Sequence, residues 1–122
     1  ELAYFKKTGH FPVMHLVGVR KTLVEQYPWL PTSLYKAFCQ AKALAMADLV
    51  CVHPLVVTLP WLEAEARETM AIMGEDIWKY GVEESRHDIE ALTGYAIVQG
   101  VIDRKVSVEE LFHPAVFEMS KV

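Results

Sequence analysis

The side chains best suited to chemistry lie in and after an apolar run near the start of the chain. His15 lies within that run, between Met14 and Leu16, where a buried imidazole needs a hydrogen-bond partner. Arg20 comes directly after the run, and its guanidinium could hold a carboxylate through two parallel hydrogen bonds. Each has a common structural alternative, a satisfied core histidine in one case and a solvated or capping arginine in the other. Both residues are therefore candidates whose roles depend on the elements that position them.

Two Glu-x-x-His pairs have the spacing that puts two metal ligands on one face of a helix, as in di-iron helical bundles. They are Glu84 with His87 and Glu110 with His113. A chain of this composition yields about half of one such pair by chance, and a di-iron site needs long paired helices. The favoured interpretation is that these residues are polar side chains on helix surfaces, and that Glu83 and Glu84 lie near a helix N-terminus, where a negative charge is favourable. No metal site is predicted, and the sequence leaves the cofactor unknown.

Composition excludes some classes of partner. The net charge is -4, and no run of basic residues forms a nucleic-acid footprint. The most apolar region, residues 41–62, is interrupted by Asp48, His53 and two prolines, so we expect no membrane span. Cys39 and Cys51 are poorly placed for a disulfide on one helix and form no zinc motif, which favours a cytoplasmic protein weakly. The first residues lack the basic segment followed by an apolar segment that is typical of a signal peptide. The sequence leaves open whether a leader lies further upstream.

Six helical segments are predicted from apolar spacing and capping signals. They are the end of a helix over residues 1–7, a short helix over 20–27, a long helix capped by Thr32 or Ser33, helices over 63–73 and 83–99, and a last short helix opened by the capping box at 107–110. Residues 28–31 should form a rigid turn before the long helix. In the helix over 83–99, Ile89, Leu92 and Ala96 are expected to face inward.

Residues 11–19 are apolar on both faces, which is typical of an interior β-strand. A strand leaves backbone donors and acceptors unpaired unless a neighbour supplies the ladder. Residues 52–58 are rich in β-branched side chains, but Pro54 makes a helical turn equally possible. We therefore expect a mostly helical C-terminal piece of a larger α/β protein, with one or two strands. The partner strand would come from a missing N-terminal part, from residues 52–58, or from another copy in a homo-oligomer.

A set of aromatic, proline and glycine positions along the chain matches a family pattern. These positions are Tyr4, Thr8-Gly9, Phe11-Pro12, Met14-His15, Pro28-Trp29, Ser33-Leu34-Tyr35-Lys36-Ala37-Phe38, Ala41-Lys42, Leu59-Pro60-Trp61, Met73-Gly74-Glu75-Asp76, Trp78, Tyr80-Gly81, Tyr95, Gln99-Gly100, Glu109-Glu110-Leu111-Phe112 and Pro114. In them the chain resembles the C-terminal third of 4,5-dihydroxyphthalate decarboxylases. The resemblance covers nearly all 122 residues.

The resemblance implies a fold and an activity. The family is similar to two-lobed, type II periplasmic-binding-protein folds, so residues 1–20 would form the crossover strand region and residues 21–122 the helical part of one lobe. The implied reaction is loss of carbon dioxide from a small aromatic carboxylate, 4,5-dihydroxyphthalate, to give 3,4-dihydroxybenzoate. The resemblance then implies that His15 donates the proton or a hydrogen bond to the substrate, and that Arg20 binds a substrate carboxylate. Thr8 and His10 would line the region where the chain crosses between the two lobes.

Two alternatives remain open at the level of sequence. Solute-binding proteins of transporters share the two-lobed fold, and a secretory or lipoprotein leader on the complete protein would favour that class. The isolated 122 residues are also expected to be inactive, because a site between lobes needs both of them.

Overall fold

The computed structural model describes residues 1–49, 58–117 and 119. In this part of the chain it contains six α-helices and one 3₁₀ helix, and no strand. The elements are α1 (Leu2–Thr8), α2 (Lys21–Gln26), α3 (Leu30–Leu49), α4 (Leu62–Met73), α5 (Val82–Val98), α6 (Val108–Leu111) and the 3₁₀ helix η1 (Pro114–Val116). Among the described residues, no helix has the length and apolar character needed to cross a membrane.

Local capping signals predicted most helix ends correctly. Helix α1 ends at Gly9, whose φ of 71° is the left-handed conformation that glycine adopts readily, and its N–H donates to the Phe5 carbonyl. Helix α4 likewise ends at Gly74. The predicted capping box at α6 is present, with Ser107 accepting from the Glu110 N–H and the Glu110 side chain accepting from the Ser107 N–H. These ends depend on neighbouring residues alone.

The predicted strand over residues 11–19 is wrong for this structure. These residues have no regular secondary structure, and helix α2 begins soon afterwards. A strand is defined by its hydrogen-bonded ladder, and no other strand lies within the described part of the chain to provide one. Residues 52–57 of the second candidate strand lie outside the described residues, and Thr58 has no regular structure.

The start of the long helix also differs from the prediction. Helix α3 begins at Leu30, so Thr32 and Ser33 lie inside its first turn rather than at its cap. Pro31 is tolerated at this position because the first turn has no partner for a backbone N–H in any case. The predicted rigid turn over residues 28–31 is therefore shorter, and its second half is helical.

The described chain forms two compact units. The first comprises residues 1–32 and 80–122, and the second comprises residues 33–79. The core of the first unit is formed by Val82, Ile89 and Val108, which bring α5 and α6 together. Partly buried residues pack against this core, namely Val13, Phe112, Val116 and Phe117. The prediction for α5 was correct for Ile89 but wrong for Leu92, whose side chain is 56% exposed.

Arg86 fixes the start of α5 within the first unit. Its guanidinium bonds Glu83 on its own helix at 2.7 Å and Glu109 on α6 at 2.9 Å, and it lies 6.0 Å from the Phe117 ring centroid. The hydrogen bonds that the guanidinium donates to the two carboxylates raise the Arg86 pKa above its ordinary value. Hydrogen bonding with Tyr4 of α1 raises the pKa of Tyr95 on α5. Arg86 and the apolar core thus join helix α5 to α6.

In the second unit, Lys42 ties helix α3 to the loop that follows α4. Its ammonium group donates to both carboxylate oxygens of Asp76, at 2.8 and 2.9 Å, and to the Trp78 carbonyl at 2.9 Å. The Lys42 side chain is 17% exposed and that of Asp76 is 56% exposed. One partly buried cation therefore holds a loop that has no regular structure of its own.

Candidate functional site

A histidine and an aspartate that are 78 residues apart meet in the first unit. His10 follows the end of α1, and Asp88 lies in the second turn of α5. The distance between His10 Nδ1 and Asp88 Oδ1 is 2.7 Å, and the two side chains are 17% and 19% exposed. Thr8 supports the pair, because its hydroxyl accepts from the His10 backbone N–H at 3.2 Å and donates to the Tyr4 carbonyl. The imidazole is held through both its ring and its backbone.

His87 adds a third contact to this pair. Its ring lies parallel to the His10 ring, with 3.8 Å between centroids and 6° between planes. The neighbouring position of Asp88 on α5 means that one helical turn provides both the carboxylate and the stacked ring. We call His10, His87 and Asp88 the imidazole cluster.

The hydrogen bond to Asp88 determines which ring nitrogen of His10 is available. An ionised carboxylate only accepts, so His10 Nδ1 carries the donated proton. Nε2 then has no hydrogen-bond partner among the described residues. A carboxylate-held imidazole of this kind keeps one orientation and can hold or transfer a proton at Nε2.

An open apolar groove of about 310 Å³ lies beside the cluster in the first unit. It is lined by Val13, Met14, His15, Leu16, Ile89, Leu92, Thr93 and Leu111. None of the three cluster residues lines the groove, but Leu92 lies one helical turn after Asp88 and Val13 lies three residues after His10, so the same two stretches of chain provide both features. Its volume lies at the lower end of the range for small-molecule sites, about 300–1,000 Å³.

The structure brings together some of the sequence-predicted residues and leaves others apart. Thr8 and His10 are in direct hydrogen-bond contact. His15 lines the groove but is exposed, and it has no hydrogen-bond partner among the described residues. Arg20 is exposed at the N-cap of α2 and makes no side-chain cap bond. The roles predicted for these four residues stay predictions.

Sequence reasoning missed Asp88 as a site residue. Nothing in its local spacing marks it, because its partner lies near the other end of the chain. The Glu-x-x-His pairs are used differently from metal ligands. His87 stacks on His10, Glu110 bonds Arg104 and caps α6, and the His113 ring accepts from the Ala115 N–H. The described residues contain no group of three or more potential ligands arranged for a metal ion.

Comparison with known proteins bears on the family resemblance. No family model matches the chain. A curated 4,5-dihydroxyphthalate decarboxylase from Comamonas testosteroni is 40% identical over 119 residues, which is 98% of this chain and 36% of that relative. The chain thus spans little more than a third of the length of the relative that it matches. The resemblance predicted from the sequence motifs is confirmed: almost the whole chain is similar to the C-terminal part of a 4,5-dihydroxyphthalate decarboxylase.

Proposed function

We propose that the complete protein is a carboxy-lyase that converts 4,5-dihydroxyphthalate to 3,4-dihydroxybenzoate and carbon dioxide. The observation that carries this proposal is the 40% identity to a decarboxylase with that name, maintained over 98% of the chain. The imidazole cluster and the adjoining apolar groove support it, because they provide a held proton-transfer group beside a surface suited to an aromatic ring.

The chemistry makes two demands on the protein. A ring hydroxyl opposite the departing carboxylate donates electron density, so that the carbon bearing this carboxylate can accept a proton. The bond to the carboxylate then breaks, its electron pair returns to the ring, and carbon dioxide leaves as aromaticity is restored. The protein must therefore hold the ring and present an acid to one carbon atom.

The proposed site uses the residues identified from the sequence. His15 serves as the acid or as a hydrogen-bond donor to the substrate, and Thr8, His10 and Arg20 contact the substrate. The position of His15 in the groove supports a substrate contact. The guanidinium of Arg20 is exposed and has no hydrogen bond or ion pair among the described residues, so it can reach a carboxylate.

The parent architecture belongs to the same proposal. We propose a two-lobed fold of the type II periplasmic-binding-protein kind, with residues 1–20 crossing between lobes and residues 21–122 in one lobe. We also propose a cytoplasmic location, on the basis of the cysteine spacing described above. In this arrangement the 122 residues by themselves provide part of the site and have no activity.

The experiment is a turnover assay on the complete recombinant protein. With 4,5-dihydroxyphthalate it should release carbon dioxide and form an equal amount of 3,4-dihydroxybenzoate, measured by chromatography. Phthalate, which lacks both hydroxyls, should give no product because nothing donates electron density to the ring. Absence of turnover with 4,5-dihydroxyphthalate and with related dihydroxybenzoates would refute the proposal. Binding without turnover would fit the solute-binding class instead.

A further inference from the structure

We propose that His10 is the proton donor of this site and that Asp88 is the residue that positions it, an inference that rests on the proposed decarboxylase function. Sequence reasoning had placed His10 only among the substrate contacts. The structure distinguishes His10 from His15 by how firmly each imidazole is held.

Proton transfer to one carbon atom requires a donor of fixed orientation. His10 has three contacts that fix it: the 2.7 Å bond from Nδ1 to Asp88, the parallel His87 ring at 3.8 Å, and the bond from its backbone N–H to Thr8. His15 is exposed and has no such contact among the described residues. A donor role therefore fits His10, and a substrate contact fits His15.

The hydrogen bond also selects the nitrogen that reacts. Because Nδ1 of His10 is engaged by Asp88, the exchangeable proton is the one on Nε2. The low exposure of both side chains, 17% and 19%, reduces competition from water for this bond. The imidazole that carries a proton on each nitrogen is the state that can donate, and its Nδ1 proton is the one bonded to Asp88.

The donor and the groove that would hold the ring are provided by adjacent residues of the same two stretches of chain, although His10 and Asp88 do not themselves line the groove. Ile89 and Leu92, which follow Asp88 on α5, line the groove, as does Val13, which follows His10 on the connecting segment. The apolar lining suits the aromatic ring. The two parts of the site are thus provided by the same two stretches of chain.

The proposed step balances in atoms and charge. Nε2 of doubly protonated His10 gives its proton to the ring carbon that bears the carboxylate, and a ring π-electron pair forms the new C–H bond. The bond from that carbon to the carboxylate then breaks, its electrons restore the aromatic ring, and carbon dioxide leaves. Neutral His10 regains one proton from water, so each turnover consumes one proton from solvent.

Kinetics of variants of the complete protein test the assignment. His10→Gln should lower kcat by about 10²–10⁴-fold, as expected for loss of a general acid. Asp88→Asn should lower kcat by about 10–100-fold with little change in KM, as for loss of an orienting partner, and Asp88→Glu should recover part of it. His15→Gln should raise KM more than it lowers kcat. Asp103→Asn, at an exposed position on the same unit, is the matched control and should behave as the wild type.

A spectroscopic measurement separates the role of Asp88 from a purely structural one. In protein labelled with ¹⁵N-histidine, the neutral His10 ring should carry its proton on Nδ1, and Asp88→Asn should remove this preference while the helical circular dichroism is unchanged. If His10→Gln or Asp88→Asn turns over like the wild type, the donor assignment is overturned while the decarboxylase function stands. If the wild type has no turnover, the proposed function fails, and the tautomer then reports only on the geometry of the pair. A His10 ring protonated on Nε2 in the wild type would overturn the positioning role of Asp88.

Discussion

The bond network of Lys42 provides a quantitative test of how the second unit is held together. Replacement of Lys42 by Met keeps the apolar stem of the side chain but removes all three hydrogen bonds of the ammonium group to Asp76 and Trp78. Asp76 is 56% exposed, so water can solvate its carboxylate after the change. The expected loss is about 0.5–1.5 kcal/mol for the bond to the carbonyl and about 0–1 kcal/mol for the ion pair. The two ranges sum to about 0.5–2.5 kcal/mol, and the middle of that range is about 1–2 kcal/mol.

Native-state hydrogen exchange of the complete protein measures this loss where it occurs. A decrease of about 1–2 kcal/mol corresponds to faster exchange by a factor of about 5–30 in peptides that cover residues 74–79. Lys36→Met is the matched control, because Lys36 lies on the same helix and is exposed. Its effect on the free energy of unfolding should stay within about 0.5 kcal/mol. If residues 74–79 exchange at the wild-type rate in Lys42→Met, Lys42 does not hold this loop and the estimate is wrong.

Three further predictions concern the first unit. Ser107→Ala removes the cap of α6 and should lower the free energy of unfolding by about 1 kcal/mol in urea titrations. Ser107→Asn should keep most of the stability that the cap provides, because asparagine is also a good N-cap residue. The hydrogen bond from Arg104 lowers the pKa of Glu110, so this carboxylate stabilises the fold above its unfolded-state pKa, and the contribution is lost as pH falls through the lower folded-state pKa. The difference in Tm between wild type and Glu110→Gln should therefore shrink between pH 7 and pH 3, and a constant difference would contradict this. Thr93→Phe places a ring in the groove and should raise KM about tenfold, equivalent to about 1.4 kcal/mol of binding, with little change in kcat; Thr22→Phe, on exposed α2, should leave both unchanged.

The helices could be predicted because their signals are local. Gly9 and Gly74 end α1 and α4, and the capping box opens α6, through contacts between residues a few positions apart. The start of α3 was misjudged because two prolines suggested a turn, although proline in the first turn of a helix breaks no hydrogen bond. Such errors shift an element by a few residues without changing its type.

Long-range features could not be predicted in the same way. The apolar residues 11–19 have the pattern of a buried strand. The pattern shows that the segment is apolar on both faces, but a strand forms only when a second segment provides hydrogen-bond partners for its backbone. The contact between His10 and Asp88 spans 78 residues, and neither position has a motif that names the other. His15 drew attention because it interrupts an apolar run, whereas His10 is the imidazole that the fold holds. The contrast between His15 and its apolar neighbours therefore drew attention to this segment but not to the residue that the structure holds most firmly.

The groove is exposed to water. The isolated chain can therefore hold the proposed proton donor in place and still be inactive, as proposed above. Met14, Leu16 and Leu92 line the groove and are exposed, so its described walls leave an aromatic ring open to water on one side. Water weakens electrostatic interactions, and decarboxylation through a charged ring intermediate needs a surface that excludes it. The geometry of His10 and Asp88 is nevertheless complete within this unit, because both contacts of the imidazole with α5 are already formed. Orientation of the proton and exclusion of water are thus separate requirements, and the described residues satisfy the first while the second requires a further wall over the groove.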